Sequence, residues 1–488
     1  MDVLKKISAL VLASLLLAAT VSCGTTAEEK PSSVNTEAAE SLAESAETTE
    51  PPPEANLPDV DYDGYTFTLY IRDRDDFIPD MYAESLNGDL MNDAIFNRNA
   101  TVADRFNIAF EMVRASDIYG GGAEKAILAG EDAYDLLICH ARRCFYYAQS
   151  DMALDWNDLK WVDLDQPWWY ADAREAFSFY NKLYAMIGDI SYLNLGATDA
   201  MLFNKALAAD FGLDDLYGTV QKGEWTFDCF ASYARSAIRD LNGDGVYDLN
   251  NDQMGYLTGW WIGPIQVLYS ADERICGRDD EGNMILTLNT ERTVRAFEKF
   301  FALTDSDGML ILQNDDNTEI HNAFMAGRSL FMDVNIKFIV RFREMAQDFG
   351  ILPWPKLDET VDAYYANVDA GCNSFAVPVV ASDPERTSAV LEALSYEGYR
   401  SVLPVYYDVV LTTKFTRDED SAAMLDIVRA GRVFDIGYFY NNTYFKSPFN
   451  SVGYNLFKLA DHSFASFYAQ NESATLAAIE EINSYYRD

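Results

Sequence analysis

The sequence predicts an α/β protein of two lobes with largely parallel sheets. Its 488 residues exceed what one small core organises and fit two domains of ordinary size. Apolar residues at 49% and aromatics at 14% supply enough buried surface to order most of the chain. Short strand patterns then alternate with helical ones along its length, the arrangement that builds parallel sheets with crossover helices.

The first strand is read at Tyr65–Ile71, where apolar residues alternate with period two. Met91, Ile95, Val102 and Phe106 recur at helical spacing and predict a helix over Leu90–Phe106, started by Asn92 or Asp93. A second strand follows at 107–113 and a short helix at Glu124–Leu128. The run 134–139 (YDLLIC) is continuously apolar after its first residues, as in a strand covered on both faces. Stretches 183–187 and 200–203 have the same character. Helices are expected at 227–241, with Thr226 or Asp228 as cap, at 290–303, and at 384–396, where Asp383 caps and Pro384 opens the first turn. Further strands are expected at 329–332 and 371–379, and the part beyond about Asp420 reads as mostly helical.

Before this body stands an export signal: Lys5 and Lys6, an apolar run over 7–21, then Val21-Ser22-Cys23. Residues 24–58 are mostly Ser, Thr, Ala, Glu and Pro, too poor in apolar bulk to offset ordering, and read as an acidic disordered tether. With Cys23 set aside, five cysteines remain, so at least one is unpaired, and none shows the CxxC spacing of metal or redox motifs. Charge excludes more. Thirty-seven Lys and Arg stand against 78 Asp and Glu, a formal net charge of −41, which repels phosphate backbones and argues against nucleic-acid binding. Only three histidines occur, far apart, which weakens a zinc or Ser-His-Asp reading.

The N-terminal 23 residues resemble a bacterial lipoprotein signal, which implies acylation at Cys23. Thr20 departs from the Leu usual there, and a plain secretory signal is the alternative. Seven stretches of the body, among them AEKAILAGEDAYDLL (123–137), NKLYAMIGD (181–189), LFNKALAADFGL (202–213), AFMAGRSLFM (323–332), GILPWP (350–355) and GCNSFAVP (371–378), resemble the extracellular solute-binding proteins of bacterial ABC importers, in the sugar-binding cluster. That resemblance implies the type II periplasmic-binding-protein fold, two α/β lobes joined by crossing strands with a ligand cleft between them. Lobe one would comprise 59–198 and 349–400, and lobe two 199–348 and 401–488. The first crossing would fall near 193–199 and the return near 348–353. The segment 156–180 departs from simpler members as an insertion over the cleft.

A sugar receptor needs flat aromatics against C–H faces beside planar polar groups for hydroxyls. Trp168, Trp169, Trp260, Trp261 and Trp354 stand outside helical periodicity and are the platform candidates. Strand ends facing the cleft supply Arg72, Asp73, His140, Arg142, Asp333, Asn335 and Asn373. Each of these reads equally as core packing or a solvated strand end. The loop DLNGDGVYD satisfies the start of a calcium motif, with Asp240, Asn242, Asp244, Val246 and Asp248 as ligands. Asn251 occupies its twelfth position, so a bidentate ligand must come from Asp252 or elsewhere, and a plain acidic turn is the rival reading. A structural Ca²⁺ is thus the only cofactor suggested.

The expected function is capture of a mono- or oligosaccharide by a monomeric, lipid-anchored extracellular receptor that delivers it to a permease and its ATPase. A peptide or another polar solute is the runner-up. An exported glycoside hydrolase or an adhesive surface protein ranks lower, because no GxSxG, P-loop or HExxH motif occurs.

Overall fold

A computed structural model describes residues 53–487 apart from 214, 313–316, 413–418 and 441–446. The expected signal, Cys23 and most of the expected tether lie outside the described residues. The strands in chain order are β1 (Tyr65–Ile71), β2 (Ile108–Arg114), β3 (Leu136–His140), β4 (Asp199–Asn204), β5 (Met254–Gly259), the β6–β7 hairpin (Cys276–Arg278, Met284–Leu286), β8 (Met309–Leu312), β9 (Ser329–Asn335), β10 (Phe349–Leu352), and the short β11 (Ala366–Asn367), β12 (Asn373–Ala376) and β13 (Arg432–Val433). The helices that matter below are α1 (Leu90–Phe106), α2 (Ala141–Gln149), α3 (Gly263–Ser270), α4 (Pro384–Glu397), α5 (Val452–Phe457) and α6 (Phe464–Arg487).

Two sheets repeat one plan. The first runs β12-β3-β1-β2 and the second β10-β4-β9-β5-β8. In each, three parallel strands are joined by one antiparallel strand arriving from the other part of the chain, β12 beside β3 and β4 beside β9. Their registers start with Asn373 opposite His140 and Asp199 opposite Asn335, so each arriving strand begins where its parallel neighbour ends. β4 and β9 are buried throughout, as strands covered on both faces must be. β2, an edge strand, keeps Glu111 and Arg114 exposed, which discourages pairing with another chain.

Three segments cross between the sheets side by side. Thr198 pairs with Val368, Asp369 N donates to Ala197 O (3.0 Å), and β11 pairs in parallel with β13. The expected first crossing is thus in place. The return is not where expected: residues 349–352 form β10, paired with β4 in the second sheet, and the chain passes to the first sheet only at 366–373. The expected strand at 183–187 is a single bridge, Met186 with Phe375. The helix from Phe227 stops at Ser236, short of the Gly-rich acidic loop. Its cap is Thr226, as expected, and Asp383 caps α4 by accepting from Arg386 N (2.9 Å). The α1 cap is Asp89, which accepts from Met91 N and Asn92 N, because a cap must sit outside helical backbone and Asn92 and Asp93 are already inside it.

The insertion at 156–180 docks on α4. The Trp168 and Trp169 indoles donate to opposite oxygens of Glu392 (3.0 and 2.8 Å), and both rings are buried. The C-terminal part is helical as expected but serves both sheets. Residues Leu403–Thr412 pack on α1, whereas Asn483 of α6 brackets Met284 N and O (2.8 and 2.9 Å). Tyr485 of the same helix reaches back to Asp151 (2.7 Å). The five described cysteines are free.

Glu392→Ala should lower unfolding free energy by at least about 2 kcal/mol in a urea titration, since each buried N–H left without an acceptor costs about 1–3 kcal/mol. Burial also pushes carboxyls upward: Asp80 and Asp189 to about 6, Asp333 and Glu392 to about 7. Between their ordinary values and these, the folded chain holds protons that the unfolded chain has lost. Stability should therefore fall as pH rises from about 4.5 through 7, read as a lower melting temperature at pH 8 than at pH 5.

Candidate functional site

Because both arriving strands begin at the C-terminal edges of their sheets, those edges and the three crossings share one region. This is where open α/β sheets place ligands. β3 ends on His140, whose Nδ1 accepts from Arg142 N (3.2 Å) and caps α2. An accepting Nδ1 leaves the proton of the neutral ring on Nε2. Burial first, then Arg72, Arg142, Arg74 and Lys337, hold the imidazole well below its ordinary range. Gly371 keeps the space beside Nε2 clear: a Cβ there would stand 4.0 Å from it and would collide with the Asp369 carboxylate.

Asp369 follows the second crossing. One oxygen accepts from Gly371 N (2.7 Å) and the other from the Tyr438 hydroxyl (2.7 Å). Arg142 donates through Nε to Tyr438 O (3.1 Å) and lies 5.1 Å over its ring, which ties the segment after the third crossing to the first sheet. From the second sheet, Lys337 follows the end of β9 and sets its Nζ 4.4 Å from the centre of the Phe77 ring. The same ring meets Arg72 at 4.1 Å and Arg74 at 4.8 Å. Burial pushes the Lys337 amine down to about 8, against the opposing pull of Asp369. Trp260 and Trp261 follow β5, half-buried, and the Trp260 ring centre sits 4.0 Å from that of Tyr454 of α5. His140, Arg142, Lys337, Asp369, Gly371 and both tryptophans keep partial exposure. Together they offer cations, one carboxylate, a neutral imidazole N–H and flat rings.

Not every sequence candidate belongs there. Trp168 and Trp169 are held by Glu392, and Trp354 is fully buried, 6.2 Å from Phe230 and from Tyr256. Asp333 is buried and accepts from Tyr256 and Thr258 hydroxyls (2.6 and 2.8 Å). Asn373 donates to Asp80 (2.9 Å), and Asn335 donates to Ala197 O and to Asp199. Arg72 is buried and donates to Ile118 O and Gly371 O (2.9 and 2.6 Å), so it stiffens the crevice from behind. Asp73 is paired with Arg114 (2.7 Å). Lys337, Asp369, Gly371 and Tyr438 escaped the sequence reading, although Asp369 and Gly371 stand just before or within a stretch already singled out.

The acidic loop turns its side chains onto its own backbone. Asp240 accepts from Gly243 N and Gly245 N, Asn242 from Asp244 N, Asp244 from Val246 N, and Asp252 from Leu241 N and Asp248 N. Asp248 accepts from Asn250 N and Asn251 N, while Val246 is largely exposed. Among the described residues no three carboxylate, Cys or His side chains group closely enough to hold a metal ion.

No family model matches the chain, and no curated protein matches its sequence. Solved structures do match. The GacH receptor of Streptomyces glaucescens, solved unliganded and with acarbose, has a TM-score of 0.53 at 14% identity over 87% of this chain and 99% of its own. An ABC transporter solute-binding protein from Thermotoga lettingae, bound with alpha-D-tagatose, has 0.53 at 14% over 87% and 100%. A family 1 extracellular solute-binding protein from Bifidobacterium longum subsp. infantis has 0.50 at 13% over 80% and 93%. This chain has the solute-binding-protein fold. Asp369 and Tyr438 stand just after the second and third crossings of this fold, bonded to each other. No described helix is long and apolar enough to cross a membrane.

His140 should titrate below the ordinary imidazole range. The midpoint of its ring-proton resonance, assigned by its loss in His140→Gln, should lie below that of a free imidazole, and a midpoint near 6.5 would contradict the crowding of cations around it.

Proposed function

We propose that this protein is an extracellular receptor that captures a carbohydrate by closing its two sheets' edges around it and delivers it to an ABC permease and its ATPase. The observation that carries the reading is the meeting of strand ends and crossings. His140, Asp369 and Arg142 supply planar polar groups beside the three crossing segments, and the half-buried Trp260 and Trp261, just after β5, are the platforms we assign to the ligand. Acarbose and tagatose in the structural relatives support a saccharide over a peptide. Ligand touching both halves stabilises the closed state by its differential affinity, and a micromolar dissociation constant corresponds to about −8 kcal/mol. Binding, with no reaction, is all that this arrangement is asked to perform. Acylation at Cys23 would hold the body at the outer face of the membrane by the acidic tether.

The full chain should gain melting temperature with one class of saccharide and show a smaller radius of gyration by X-ray scattering when saturated. Trp261→Ala should weaken that binding at least tenfold, about 1.4 kcal/mol, by calorimetry. Release of a shortened sugar would instead favour a hydrolase, and a response to peptides alone would move the ligand class.

A further inference from the structure

The chain carries a formal charge of −41, yet its crevice gathers cations. Arg72, Arg74 and Lys337 converge on one ring, Phe77, at 4.1, 4.8 and 4.4 Å. Arg74 is neutralised by Asp76 (2.8 Å), and the nearby Asp73 is matched by Arg114 (2.7 Å). Arg72 spends its guanidinium on two backbone carbonyls. Lys337 Nζ has no hydrogen-bond or ion-pair partner among the described residues. The remaining carboxylate is Asp369, already accepting from Tyr438 and Gly371 N. Besides Arg142, two positive charges, those of Arg72 and the partly exposed Lys337, therefore face a single occupied carboxylate. Crowding like charges in a partly dry crevice is unfavourable until an anion enters.

We propose that the captured saccharide bears a carboxylate, as a uronic acid does, and that Lys337 receives it while neutral His140 Nε2–H and Asp369 hold ring hydroxyls. A single ammonium suits a monoanion. A phosphate dianion is better matched by guanidinium forks, and Arg72 has turned its fork onto main-chain oxygens. The inference rests on the carbohydrate-receptor reading and narrows its substrate class.

The test is calorimetry on the full chain with digalacturonate and a glucuronate disaccharide, their neutral counterparts, and glucose 6-phosphate. Expected are binding of a uronate at least tenfold tighter than its neutral counterpart, weakening in 0.5 M NaCl, a tenfold or greater loss in Lys337→Met, and retention in Lys337→Arg. Should Lys337→Met fail to fold by circular dichroism, the uronate-to-neutral ratio and its salt dependence in the unaltered protein decide. Preference for the neutral sugar, or for the phosphate, overturns this inference and leaves the receptor reading standing. Binding of no saccharide at all overturns both.

Discussion

The structure depends on one buried carboxylate at the crossings. Asp199 opens β4, is fully buried, and accepts from Asn335 at the end of β9 and from Asn367 in the second crossing (3.1 Å to the latter). Gln266 of α3 extends the set by bonding Asn367 N and Tyr365 O (both 2.7 Å). A polar group placed there without partners would cost several kcal/mol. Paired, it fixes where two crossings sit relative to a strand end of the second sheet. Burial and the nearby Asp369 hold the Asp199 carboxyl well above its usual range. The crossings are thus locked by amides to one carboxyl, whereas the crevice above them is left with open valences.

That division explains why strand-end polar residues fall into two groups. Asp333, Asn335, Asn373 and Asp199 all lie at or near C-terminal sheet edges and bond internally, although Asp333 Oδ1 and Asn373 Oδ1 find no partner among the described residues. They satisfy backbone and hydroxyl groups that crossing strands leave beneath the cleft. Lys337 and Asp369 come one step later, past the strand ends, and His140 is the last residue of β3, so these side chains regain access. A fold that must both join two halves and leave them a shared crevice spends its first polar layer on joining.

Much of this was legible in sequence. Helical spacing located α1 and α4 almost residue for residue, and Asp383 marked the start of α4, because local period and capping chemistry decide those elements, although the α1 cap lay one turn earlier than read. The unbroken apolar run before His140 located β3 for the same reason. The return crossing was misplaced because β10 reads as a buried strand whichever sheet it joins, and only pairing with β4 reveals its side. Trp168 and Trp169 looked like platforms because their acceptor, Glu392, lies more than 220 residues away. Tyr438 and Lys337 carried no local mark at all. Their roles arise from juxtaposition across the crossings.

A strongly acidic body around a cationic crevice sets up a conflict that geometry resolves. At physiological ionic strength the screening length is about 8 Å, so the distant surface carboxylates act weakly on a solute already inside the cleft. The charges that it meets are those within a few ångströms, where partial burial makes each interaction stronger than at the surface. The acidic exterior therefore bears on solubility, while on the proposed reading the inner cluster would govern choice. Lys337 links these local charges to motion, since it extends from the second sheet onto a ring of the first. The cation that faces the solute is also a contact between the two halves, so occupancy and closure bear on the same side chain.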